Sequence, residues 1–136
     1  HLSIRRQRQM CIRDRASSSV TDWHSYDTIY TERYMRTPED NKDGYQKGSA
    51  LTYAKNLRGK MLLVHGTIDN NVHAGNTIHL IDALQKEGKS FDMMYYPENR
   101  HGIRGYNAQH LAKLRMEYFL RHLRPENWEE TVKTVW

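Results

Sequence analysis

Cysteine is nearly absent from this chain. Cys11 stands alone among 136 residues, so no disulfide can form within it. Cys11 sits among charged residues and is a poor candidate nucleophile. Long apolar runs are missing too: none approaches the roughly 20 residues that a bilayer-spanning helix requires. The first residues show neither the apolar stretch nor the small-residue cleavage site of a secretory signal peptide. The nucleophile elbow G-x-S-x-G occurs nowhere, and Ser17, Ser18 and Ser19 lack the glycines that would build one.

What is present begins with charge. The net of +5 would suit nucleic acid or an acidic surface if it were spread over a face. It is instead concentrated: Arg5, Arg6, Arg8, Arg13 and Arg15 against Asp14 give +4 in residues 1–15, leaving +1 for all the rest. A body with nearly balanced charge is an ordinary solvated surface, which argues against nucleic acid as a partner. Residues 1–15 show no helical or strand period, and the string RQRQMCIRDR resembles translated sequencing-adapter sequence. They are expected to be non-native or disordered, with the patterned chain, residues 16–136, beginning at Ala16 as the C-terminal part of a longer reading frame.

From Ala16 the pattern alternates strand-like and helix-like segments with short connections, as in an α/β domain with a mostly parallel sheet flanked by helices. Ala16 to Val20 reads as the tail of a strand. Trp23 to Met35 reads as one helix with Tyr26, Tyr30 and Tyr34 on a shared face. Residues from Thr37 to Gly48 read as loop. Lys60 to Val64 is a continuous apolar run, as in a strand buried on both faces. Gly75 to Glu87 reads as a helix with Ile78, Ile81 and Leu84 inward and Gly88 as its stop. Ser90 to Tyr96 alternates as a strand ended by Pro97. Asn107 is expected to cap a long helix whose buried stripe is Leu111, Leu114 and Tyr118, ending by Leu123.

Two loops carry the chemistry. His65-Gly66-Thr67-Ile68-Asp69-Asn70-Asn71-Val72-His73 follows one strand and Asn99-Arg100-His101-Gly102 the next, so both fall at the carboxyl edge of the sheet, where open α/β sheets bind ligands. An aspartate there can hold a histidine ring in one tautomer and stabilise the imidazolium. Parallel neighbouring strands about 4.8 Å apart would bring the two loops together. That places an Asp69 oxygen roughly 2.6–3.2 Å from a His101 ring nitrogen, expected to be Nδ1. Gly102 would let the backbone turn to present the ring. On spacing alone a solvated or structural histidine, and an aspartate serving turn chemistry, remain open alternatives. His65, His73 and His79 match no metal-ligand spacing, so neither a metal nor another cofactor is expected.

Taken in order, SVTDWHSYDTIYTERYM, TPEDN, HGTIDNNVH and the HGI turn resemble the C-terminal catalytic part of the prolyl oligopeptidase family of serine peptidases, specifically its dipeptidyl peptidase IV branch. The resemblance runs from about Ser18 to Leu123. It implies an α/β-hydrolase fold in which Asp69 and His101 complete a Ser-Asp-His triad. It also implies a substrate pocket walled by Val20, Trp23, Tyr26, Tyr30 and Val72 that takes the penultimate proline or alanine, with Asn71 holding a substrate carbonyl. Flat aromatic faces suit a pyrrolidine ring, and a closed apolar pocket disfavours charged side chains. Without the resemblance, the three tyrosines read first as core residues of an amphipathic helix.

The chain departs from the family where the serine elbow, the oxyanion donors and the β-propeller would stand. The partners implied are a peptide substrate and that missing N-terminal part of the same chain, and the resemblance leaves room for a homodimer. By resemblance the location is periplasmic, secreted or anchored at a membrane surface. The expected function is a serine peptidase releasing dipeptides with penultimate Pro or Ala, these residues alone being inactive. The alternatives are another prolyl oligopeptidase-type peptidase or esterase, or a non-catalytic binding or dimerisation member of the fold.

Overall fold

A computed structural model describes residues 13–123. Its centre is a sheet of three parallel strands in the order β1 (Arg13–Ser17), β2 (Lys60–Gly66), β3 (Asp92–Tyr96). β2 is central and carries the apolar run. Its alternate residues serve two cores because successive side chains leave opposite faces of a strand. Leu62 and Val64 join Tyr96, Leu111 and Tyr118 on one face, while Leu63 joins Ala54, Leu80 and Leu84 on the other. Helices therefore cover the sheet on both sides: α3 (Gly75–Lys86) with a 3-10 segment, Ala50–Asn56, on one, and α4 (Tyr106–Leu123) on the other.

β1 begins three residues before Ala16. Arg13, Asp14 and Arg15 pair with Lys60, Met61 and Leu62. Parallel pairing is made by backbone groups and needs no apolar pattern on an edge strand, so side-chain composition was a poor guide to this boundary. Residues 1–12 lie outside the described part.

The expected helix from Trp23 to Met35 is two elements. A 3-10 turn, Trp23–Ser25, precedes α1 (Thr28–Met35), and the break falls where the Asp27 carboxylate accepts from the N–H groups of Ile29 and Tyr30. An aspartate that caps in this way starts a helix rather than continuing one. The tyrosine row survives the break: ring centroids are 5.7 Å apart for Tyr26 and Tyr30 and 5.0 Å for Tyr30 and Tyr34. The row faces outward, with Tyr30 51% and Tyr34 68% exposed, so these rings are not core.

The segment expected to be loop up to Gly48 contains α2 (Lys42–Gly48). It is capped by Asn41 and anchored by the buried Tyr45, whose hydroxyl donates to the Arg36 carbonyl. One cap and one buried ring suffice here although the local pattern is polar.

α3 ends where expected: Gly88 takes φ 63, the left-handed conformation that glycine adopts without a Cβ penalty. Its inward face differs from expectation. Ile78 is exposed and Asn76 and Thr77 are buried, because the Asn76 amide pairs with the backbone of Thr21 and Ser25 and the Thr77 hydroxyl with His65 near the end of β2. α4 buries Leu111 and Tyr118 as expected but begins at Tyr106, so Asn107 lies in its first turn and Gly105 precedes it. Among the described residues no helix is long and apolar enough to cross a membrane.

Candidate active site

The loops after β2 and β3 emerge at the same edge and are laced together. Thr67 N donates to Tyr96 O at 3.0 Å, Ile68 N to Asn99 O at 3.1 Å, and Glu98 N to the Thr67 hydroxyl at 3.1 Å. The lacing requires a glycine at position 66, since a Cβ there would overlap the carbonyl oxygens of Asn99 and Arg100. Gly102, by contrast, has an ordinary backbone, and a Cβ on it would meet nothing nearer than Arg104 Nε at 3.8 Å. The turn that presents His101 is thus made by the close approach at Gly66 and by Glu98 at φ 58, not by Gly102. From the other side the Ser18 hydroxyl, at the end of β1, donates to the His101 carbonyl at 3.3 Å.

Asp69 is buried and saturated with donors. Its Oδ1 accepts from the N–H groups of Asn71 (2.9 Å) and Val72 (3.0 Å), and its Oδ2 meets His101 Nδ1 at 3.1 Å. Burial pushes this carboxyl up. The two backbone N–H groups and His101 outweigh it and hold the group below the usual carboxylate value. An ionised carboxylate only accepts, so Nδ1 of His101 carries the ring proton and Nε2 keeps its lone pair. The Asp69 side chain is 0% exposed and that of His101 46%, so the pair is anchored at its carboxylate end and open at its imidazole end. That combination can orient an imidazole, take a proton at Nε2 and stabilise the resulting cation.

The aromatic residues gather next to this pair. The Tyr26 hydroxyl donates to Asn71 Oδ1 at 2.9 Å, joining the aromatic segment to the Asp69 loop. Trp23 packs edge-on against Tyr26, with ring centroids 6.0 Å apart, and Tyr26 against Tyr30. Asn71 and Tyr30 are exposed, while Val20, Trp23 and Tyr26 are half-buried. Val72 is only 3% exposed and takes part through its backbone, its N–H on Asp69 and its carbonyl on His65.

Sequence reasoning missed the polar residues behind the site. Asn76, 1% exposed, accepts from Thr21 N and donates to Ser25 O, while Thr21 Oγ1 donates to Asn76 O at 2.6 Å, so the first turn of α3 pins the segment that carries Trp23. His65, also 1% exposed, contacts Asp69 itself. The only signal for either was a polar residue at a position where the apolar period predicts burial. Among the described residues no three His, Cys, Asp or Glu side chains are placed to hold a metal ion.

A sequence profile of the prolyl oligopeptidase family matches residues 15–126. Dipeptidyl aminopeptidase A of Saccharomyces cerevisiae is 39% identical over 119 residues, covering 85% of this chain and 13% of the yeast protein. Dipeptidyl-aminopeptidase B of Aspergillus niger is 37% identical over 122 residues, 88% of this chain and 14% of that protein. The crystal structure of Porphyromonas gingivalis dipeptidyl peptidase 4 superposes with a TM-score of 0.79 at 39% identity, over 81% of this chain and 16% of that one. A solved chain from Bacteroides ovatus superposes with a TM-score of 0.82. The parallel sheet with its flanking helices is thus part of an α/β-hydrolase domain, and the chain spans about one-seventh of the length of the curated relatives it matches.

Proposed function

The chain belongs to the prolyl oligopeptidase family of serine peptidases, and from that premise we propose that it supplies the Asp-His half of the catalytic triad and part of the substrate pocket of a dipeptidyl peptidase. The observation that carries this is the 3.1 Å contact between a buried Asp69 and a half-exposed His101 at the carboxyl edge of the sheet. The serine comes from a segment outside these residues. His101 Nε2 takes the proton of its hydroxyl as the oxygen bonds to the scissile carbonyl carbon. The proton then passes to the departing amine as the peptide C–N bond breaks and an acyl-enzyme forms. Water repeats the sequence to release the dipeptide. Throughout, Asp69 stays ionised and stabilises the imidazolium.

Specificity for penultimate proline or alanine is assigned to Tyr26 and Tyr30 with Trp23, Val20 and Val72. The half-buried Tyr26 ring and the exposed Tyr30 ring, set edge to face, offer flat apolar walls to a pyrrolidine ring, and a long charged side chain there would lose its hydration. Asn71 presents its amide N–H₂ to a substrate carbonyl. Its Oδ1 is already occupied by the Tyr26 hydroxyl, which leaves the donor end free to face the substrate.

The test is made on the longer protein that carries the serine. N-terminal dipeptides should be released from peptides with Pro or Ala second, as read by mass spectrometry, with no cleavage where that residue is large and charged. This 136-residue chain alone should take no label from a fluorophosphonate probe, since it has no serine elbow. Labelling of the isolated chain that disappears on heating, or cleavage indifferent to the second residue, would overturn the assignment.

A further inference from the structure

His65 is buried beneath the site, and the assignment of Asp69 and His101 does not use it. Its Nε2 lies 2.8 Å from the Val72 carbonyl and 3.3 Å from Asp69 Oδ2, and its Nδ1 lies 2.7 Å from the Thr77 hydroxyl. A carbonyl only accepts, so Nε2 carries the proton and donates it to Val72 O, while Nδ1 accepts from Thr77. Asp69 Oδ2 therefore accepts from His101 Nδ1, with His65 Nε2 3.3 Å away, while Oδ1 accepts from the N–H groups of Asn71 and of Val72, the residue whose carbonyl His65 holds. Three hydrogen bonds hold the carboxylate, one of them from the residue that His65 fixes, and it cannot rotate without breaking a bond.

Resting on the peptidase reading above, we infer that His65 is a positioning residue: it fixes Val72, whose N–H holds the Asp69 carboxylate that orients His101, and ties that loop to α3 through Thr77. The residue itself is well held. The titratable groups around its ring are Asp69 and His101 at the sheet edge and, on β3, Tyr95, whose ring centroid is 6.5 Å away. The ring is wholly buried against Thr77, so substrate cannot reach it, and its effect must pass through Asp69. Loss of the Nε2 donor would leave the Val72 carbonyl unpaired and release the residue whose N–H holds Asp69 Oδ1. The carboxylate could then turn, and a displacement of reacting groups on the order of 1 Å can cost about 100-fold in rate.

The test compares His65→Phe, which keeps a ring but removes both nitrogens, with His65→Gln, whose amide N–H can replace Nε2. In the 136-residue chain the proton of His101 Nδ1 bonded to Asp69 should give a low-field NMR signal, kept in His65→Gln and lost or broadened in His65→Phe. In the longer, serine-bearing protein, His65→Phe should lower kcat about 10- to 100-fold with KM little changed, and His65→Gln should restore most of it. The NMR signal reports the Asp69–His101 bond whether or not any peptide is cleaved, so failure of this inference is separable from failure of the peptidase reading. An unaltered signal in His65→Phe, or equal losses in the two variants, would overturn it. Should His65→Phe fail to fold by circular dichroism, Thr77→Val removes only the partner of Nδ1. The His101 signal should then weaken, and an unchanged signal there would count against the proposal equally.

Discussion

Gly66 packs so closely under Asn99 and Arg100 that a Cβ on it would overlap both of their carbonyl oxygens, and this contact sets where the His101 loop sits on the Asp69 loop. Gly66→Ala should therefore force the two loops apart. Overpacking of this kind costs roughly 1–3 kcal/mol, sometimes more. Gly102→Ala, one residue from the histidine, meets nothing nearer than 3.8 Å and should be close to neutral for stability. Urea denaturation of the two variants decides the point. Equal stabilities would mean that the loops are not fixed by that approach.

Tyr26 contributes a ring and a hydroxyl, and the two are separable. Tyr26→Phe keeps the wall of the pocket and loses only the bond to Asn71. One hydrogen bond of about 1 kcal/mol corresponds to roughly a five-fold loss in kcat/KM on a Gly-Pro chromogenic substrate. Tyr26→Ala should lose considerably more while the fold, read by circular dichroism, is retained. Equal losses on substrates with large charged second residues would show that the ring does not recognise proline.

Acid should weaken the fold through Asp69. Burial raises this carboxyl, but the N–H groups of Asn71 and Val72 with His101 more than compensate, and the folded value lies below the ordinary one. A carboxylate depressed in the folded state contributes stability that is fully present above its unfolded pKa, about 3.9, and is lost as pH falls through the folded value. Asp22 has the same sign: burial opposes ionisation, but the backbone and side chain of His24 and then Ser49 outweigh it. Denaturation midpoints of the wild type should therefore fall as the pH drops below about 4. Asp69→Asn should be less stable at pH 7 and should lose less on acidification. A variant with the same acid dependence as the wild type would show that Asp69 does not carry it.

The parts of the fold legible in the sequence were those set by apolar period. Leu62, Leu63 and Val64 announce a strand buried on both faces, and Leu111, Leu114 and Tyr118 a buried helical stripe. The parts that were not legible depend on polar groups finding partners distant in sequence. Asn76 is buried against the backbone of Thr21 and Ser25, and Thr77 against His65, and no local pattern names those partners. Ile78, apolar and expected inward, is displaced to the surface for the same reason. Asp27 breaks a helix that the tyrosine spacing makes look continuous, and Asn41 with Tyr45 builds one where the composition reads as loop. At the site, the contact between Asp69 and His101 followed from two strands and two loops. His65 was passed over because its place in the HGT motif gave no sign that its ring reaches the same carboxylate.

The central claim is that His101, held by Asp69, is the base of a serine peptidase. Its most direct test is kcat/KM on a Gly-Pro chromogenic substrate for His101→Ala in the longer protein that carries the serine, with folding checked in parallel. The account predicts a loss of several orders of magnitude, as removal of a triad member produces, and a loss on the order of 10⁴-fold for Asp69→Asn. A folded His101→Ala protein that retains activity within about ten-fold of the wild type would contradict it, since triad losses are far larger.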